Sequence, residues 1–170
     1  MMKKNQIDSL SESLIRKYST NDPFELAECL NVLVVFDDIR NLKGYYANIN
    51  RSRLMVINSK LDEPLRKLVC AHELGHDRLH SALATISPLR DEGIYSPNRT
   101  EIEANRFAAG LLVPTETFVE LVSDGYTIDQ IASSLNTFPE IISIKMNALA
   151  HEGIQLRLPD LPFGNFIKDL

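Results

Sequence analysis

The residues with the most chemistry per position are His72-Glu73-Leu74-Gly75-His76. On an α-helix, histidines four residues apart lie about 40° apart around the axis and one turn apart along it, so their imidazoles can converge on one ion. A glutamate directly after the first histidine cannot be a third ligand at the same point. It can hold and deprotonate a water there. The pattern therefore predicts about one zinc ion per chain between His72 and His76, with Glu73 as the general base of a metal-assisted hydrolysis. Gly75 is costly inside a helix, so another element should approach closely at that point. Two histidines at this spacing also occur as ordinary core or surface residues. Here, however, Leu65, Leu68, Val69, His72 and His76 continue one inward stripe, where unpaired imidazoles are disfavoured.

A second helix is predicted over Arg99 to Leu112, stopped by Pro114, and it brings two carboxylates into an apolar setting. Glu101 shares a face with Asn105 and Ala108, and small residues on that face allow close approach to the histidine helix. Glu101 can then complete a His₂Glu site, with Asn105 one turn later holding a ligand imidazole. Glu103 lies about 200° around the helix from Glu101, so the two cannot serve one ion. Glu103 lines up with Phe107 and Leu111, and the pattern alone leaves the choice between Glu101 and Glu103 open. His80 sits about 12 Å beyond His72 along the helix and about 80° off its line, a poor position for a ligand to the same ion. It suits a place behind the ligands or one at the substrate edge, and equally a helix-end role on backbone carbonyls. Cys70 reads as a small apolar residue, His151 as a surface residue past the last helix, and Arg106 as a solvated charge or a substrate contact.

The elements that must position these groups follow from periodicity. Ile7, Leu10, Leu14, Ile15 and Tyr18 mark an amphipathic helix. Asn21-Asp22-Pro23 opens a short helix over Phe24 to Leu30. Val32 to Phe36, Tyr45 to Ile49 and Leu54 to Ile57 read as strands, the last two as an antiparallel pair; Tyr45 and Tyr46 then face opposite ways, one to the cleft. Ser81 to Asn98 reads as a loop. Thr115 is the expected N-cap of a helix over Glu116 to Val122, and two more helices cover Ile128 to Leu135 and Ile141 to Ala150. One domain over residues 1–170 is expected, with a core at about 23–113, a helical cap at about 115–150 and an irregular tail over 151–170.

Composition narrows the classes. With 18 Lys and Arg against 23 Asp and Glu, the net charge of −5 disfavours nucleic acid or an anionic membrane as the main partner. The segment Ile128 to Met146 faintly resembles a helix-turn-helix, but Lys145 is its one basic residue, too few for phosphate contacts. Cys29 and Cys70 form no CxxC pair and no disulfide framework is expected. The N-terminus leads into no apolar run, and stretches such as Val32 to Phe36 are too short to span a bilayer. A cytoplasmic protein is the expectation.

Cys70-Ala71-His72-Glu73-Leu74-Gly75-His76 with Leu79-His80, then Glu101-Ile102-Glu103-Ala104-Asn105-Arg106-Phe107-Ala108-Ala109 with Leu111-Leu112-Val113-Pro114, resembles the ImmA/IrrE family of zinc metallopeptidases. Gly44-Tyr45-Tyr46 and Ile57-Asn58 resemble the family's strand segments before the zinc helix, and the similarity runs over about Pro23 to Ala150. Zincins with a glutamate as third ligand show Glu-x-x-Ala-Asp on the second helix. Matching position by position makes Glu101 the ligand and Asn105 the residue behind it, with Asn in place of the Asp of those wider zincins. The resemblance implies an α+β, minimal zincin-like fold, a small mainly antiparallel sheet beside a helical bundle, with a sheet edge where a peptide can add as a strand. It implies a zinc endopeptidase cleaving a transcriptional repressor of a mobile element or stress regulon, encoded nearby. The alternative is a regulator of the same fold that binds a protein or DNA partner without cleaving it, as a toxin–antitoxin or stress-response component.

Overall fold

Helix α1 (Lys4–Tyr18) turns Ile7 and Leu14 into the interior, as its apolar spacing requires. The computed structural model describes residues 4–50, 52–84, 89–90, 98–154 and 156. Asp22 caps α2 (Pro23–Cys29) by accepting from the backbone N–H groups of Phe24 and Glu25 at 2.9 and 3.2 Å, while Pro23 stands where no helical donor is needed.

Strands β1 (Leu33–Asp37), β2 (Gly44–Ile49) and β3 (Ser52–Asn58) follow, with β2 and β3 antiparallel as expected. Asn50, in the tight link between them, has a φ of 51°, a left-handed conformation that Asn tolerates. Sheet order departs from chain order. β3 inserts between β1 and β2 and pairs with β1 in parallel, Leu33 opposite Leu54 and Asp37 opposite Asn58. A two-residue strand, β4 (Leu89–Arg90), pairs antiparallel with β2 and completes the order β1-β3-β2-β4. The sheet is therefore mixed with an antiparallel majority, within the expected α+β class.

Helix α3 (Glu63–Leu79) crosses this sheet and carries the histidine motif. The stretch expected to be a loop after it instead begins with a short helix, α4 (Ser81–Ala84). The turn continues because the His80 carbonyl accepts from Leu83 and Ala84 N–H at 2.8 and 3.2 Å. Residues 85–88 and 91–97 of that stretch lie outside the described residues. Helix α5 (Arg99–Leu112) matches its predicted span, and α6 (Thr115–Ser123), α7 (Ile128–Ser134) and α8 (Pro139–His151) follow. Thr115 is the first residue of α6 and not its N-cap, which is Pro114. Its hydroxyl is used between helices instead, donating to Glu12 Oε1 at 2.7 Å and accepting from Lys145 Nζ at 2.8 Å. His151 is exposed, as expected, but it ends α8. Of the tail beyond it, only residues 152–154 and 156 are described. No helix among the described residues is long and apolar enough to cross a membrane.

Helix α5 is the hub, with α3, α1 and α8 packed around it. Arg106 corrects the expectation of a solvated or substrate-facing charge. It is buried and ion-paired with Asp8 of α1, with Nε to Oδ1 and Oδ2 at 3.1 and 3.0 Å and Nη2 to Oδ2 at 2.5 Å. Lys145 is 1% exposed, so the one basic residue of the segment resembling a helix-turn-helix is withdrawn from any phosphate. Cys70 is buried against Met55, as a small apolar residue would be, and both cysteines are free.

The approach predicted at Gly75 comes from α5. A Cβ there would lie 2.9 Å from Ala104 Cα and 3.0 Å from its carbonyl oxygen, both backbone atoms that cannot swing aside. Gly75→Ala is therefore expected to lower stability in urea unfolding. The helix-propensity gain of about 1 kcal/mol is outweighed by overpacking that costs about 1–3 kcal/mol. A more stable Gly75→Ala would show that α3 and α5 have room to spare.

Candidate metal centre

Local chemistry starts α3 and the sheet then fixes its rotation. Asp62 caps the helix by accepting from Leu65 N–H at 3.0 Å. At the other end, buried Asp77 accepts from Tyr46 Oη at 2.8 Å, Arg53 Nη1 at 3.2 Å and Arg78 Nε at 2.7 Å. Arg53 also donates to the Leu30 carbonyl, so α3, β2, β3 and the end of α2 are tied through the side chains of Asp77, Tyr46 and Arg53. Of the tyrosine pair, Tyr46 is the inward one, but it serves this anchor and not a cleft. Burial pushes its phenol up to about 12, with Asp77 adding to the effect. Asp77 drew no attention as a sequence feature. The available signal was its place one turn beyond Glu73 on the same side of α3, where a carboxylate calls for a partner.

Gly44 opens β2 where the strand meets the motif. A Cβ there would lie 2.5 Å from Val69 Cγ1 and 3.2 Å from Glu73 Oε1, so a bare backbone lets the strand sit against the Glu73 carboxylate. Glu73 is fully buried. The β2 edge beside it is partly taken: Tyr45 pairs with Arg90 and Tyr46 with Leu89. A peptide adding a strand at those two positions would have to displace β4.

Asn98 caps α5 by accepting from Thr100 N–H at 3.1 Å and places Glu101 in the first turn, facing α3. His72 Nε2 lies 3.2 Å from Glu101 Oε2, His76 Nε2 lies 3.2 Å from Glu101 Oε1, and the two Nε2 atoms are 3.1 Å apart. All three residues are buried, and one donor atom from each falls within 4.8 Å of the others. Burial raises the Glu101 pKa, but the hydrogen bonds and charges of His72 and His76 outweigh it and hold the carboxyl well below its usual range. His76 is depressed, first by burial and also by its histidine neighbours, against the pull of Glu101.

The donor set suits a cation. Asn105 Oδ1 accepts from His72 Nδ1 at 2.7 Å, which puts the ring proton on Nδ1 and leaves the Nε2 lone pair aimed at the cluster. Two imidazole nitrogens and a carboxylate crowd one point, a donor set that could hold a metal ion. Of the residues singled out from sequence, His72, His76 and Glu101 come together, with Asn105 directly behind His72. Glu103 stays outside the cluster and accepts from Arg99 Nε at 2.8 Å and His80 Nε2 at 3.1 Å. His80 is the C-cap of α3, and its ring reaches His76 and Glu103.

Comparison with known proteins agrees with this geometry. Residues 27–151 match the peptidase family model described as the IrrE N-terminal-like domain. The chain is 34% identical over 140 residues to the uncharacterized immunity region protein 2 of Bacillus phage phi105, covering 82% of this chain and 88% of that protein. It is 22% identical over 140 residues to metallopeptidase ImmA of Bacillus subtilis (strain 168), covering 81% and 82%. An HExxH helix, a second helix bringing Glu101 against its two histidines, and a match over most of the length place this chain in the ImmA/IrrE family of metallopeptidases.

Proposed function

We propose that this protein is a zinc-dependent endopeptidase that cleaves a transcriptional repressor of a mobile element or stress regulon. His72, His76 and Glu101 hold the zinc, and Glu73 is the general base. The observation that carries this reading is the convergence of the two Nε2 atoms and the Glu101 carboxylate at 3.1–3.2 Å, one residue along α3 from a buried glutamate. A purely structural zinc usually closes with four protein ligands, and such a site needs no adjacent base.

When bound, the metal acidifies a water and polarises the scissile carbonyl. Glu73 takes the proton from the attacking water and delivers it to the departing amine, so one carboxylate serves as base and then as acid. Its burial against Gly44 fits this work, because a carboxylate shielded from bulk water hands its proton to the substrate and not to solvent. Support for the repressor comes from the phage relative, whose name places it in an immunity region.

The test is to incubate the purified protein with each transcriptional repressor found encoded near its gene. Two repressor fragments are expected, absent when a chelator is added and restored by Zn²⁺. Relief of repression with no fragments would favour the non-cleaving regulator.

A further inference from the structure

His72 and His76 both present Nε2 to the cluster, but only His72 has its other nitrogen bonded directly by α5. His76 Nδ1 lies 3.1 Å from His80 Nδ1, the two rings being tilted at 54° with centroids 5.2 Å apart. Of two facing ring nitrogens, one must carry the hydrogen and the other the lone pair. The far side of His80 settles which. Its Nε2 lies 3.1 Å from Glu103 Oε2, and Glu103 Oε1 accepts from Arg99 Nε at 2.8 Å. A carboxylate held by a guanidinium only accepts, so a neutral His80 carries its hydrogen on Nε2 and offers a lone pair at Nδ1. His76 must then donate from Nδ1, which leaves its Nε2 lone pair free toward Glu101. The reverse neutral arrangement sets a His80 lone pair against the Glu103 carboxylate and puts a hydrogen on His76 Nε2, where a ligand bond has to form.

We infer that Glu103 and His80 are positioning residues, a hydrogen-bond chain from α5 through the end of α3 that sets the tautomer and ring orientation of His76 for metal binding. This inference rests on the metal-site reading above. It gives a role to the second, partly exposed carboxylate of α5, about 200° around the helix from Glu101. Glu103 cannot reach the shared point, but His80 extends the line of His76 out to it. One turn of α5 thus serves both histidines, Asn105 holding His72 directly and Glu103 holding His76 through one intervening ring.

The experiment measures Zn²⁺ affinity of the full chain by chelator competition and records the visible ligand-field bands of the Co²⁺ form. Loss of such outer partners typically costs about 10–100-fold in metal affinity. That loss is expected for Glu103→Leu and for His80→Phe, which keeps a flat ring without nitrogens, and the Co²⁺ bands should shift in both. Glu103→Gln, which still offers an oxygen to His80, should recover most of the affinity and the wild-type bands. Leu and Gln are close in size, so recovery by Gln separates the hydrogen bond from packing. Glu103 is partly exposed, so its variants keep the test decisive even where His80→Phe folds poorly. Wild-type affinity and bands in Glu103→Leu would overturn the relay alone. A wild-type chain that takes up no Zn²⁺ would overturn the metal site, and the relay with it.

Discussion

Replacing Glu73 with glutamine is expected to abolish repressor cleavage while leaving the fold and the metal content intact. The amide keeps the shape of the carboxylate but cannot accept the proton. General-base catalysis is worth about 10²–10⁴ in rate, so cleavage should fall by at least that range. Glu73 is next to His72 in sequence but is not among the groups that converge, so metal uptake should match wild type. The variant is also the cleanest separation of enzyme from binder. If Glu73→Gln still yields repressor fragments at the wild-type rate, the hydrolytic role assigned to Glu73 is wrong. If it relieves repression as well as wild type with no fragments in either, the protein acts by binding.

Glu101→Ala is expected to purify with almost no metal, against about one zinc per chain in wild type. Glu101 faces both imidazoles at 3.2 Å, and its loss leaves two neutral nitrogens with no anionic partner in the cluster. Loss of an outer partner costs about 10–100-fold in affinity, and loss of a direct ligand should cost more than that. Glu103→Ala, by contrast, should still fill when zinc is supplied in excess, since it removes a support and not a ligand. Metal analysis after mild purification and after zinc loading distinguishes the two. A full complement in Glu101→Ala with none in Glu103→Ala would move the third ligand to Glu103 and refute the assignment.

What the residues determined locally was the part that depends only on near neighbours in the chain. The spacing of His72 and His76, the apolar stripe from Leu65, the caps at Asp22 and Asp62 and the span Arg99–Leu112 all follow from one helix at a time. Gly75 was legible too, because a glycine inside a helix is a standing request for a close neighbour. The tertiary structure decided everything that depends on how one element is turned against another. A helical wheel separates Glu101 from Glu103 by angle, yet it does not say which angle faces α3; the packing of α1, α3 and α8 around α5 does. The same packing takes Arg106 out of solvent onto Asp8 and Lys145 onto Thr115. It sets the ring of His80, at the end of α3, against His76 and Glu103, and gives Asp77 its partners on β2 and β3. Strand β1 lies parallel to β3 for a similar reason, since alternation within a strand records its faces and not its neighbours. Periodicity is a property of the local backbone, whereas orientation between elements is set by contacts that span the chain. The two histidines and Asn105 behind one of them could therefore be read from sequence, while the contacts of His80, Glu103 and Asp77 were decided by the tertiary structure.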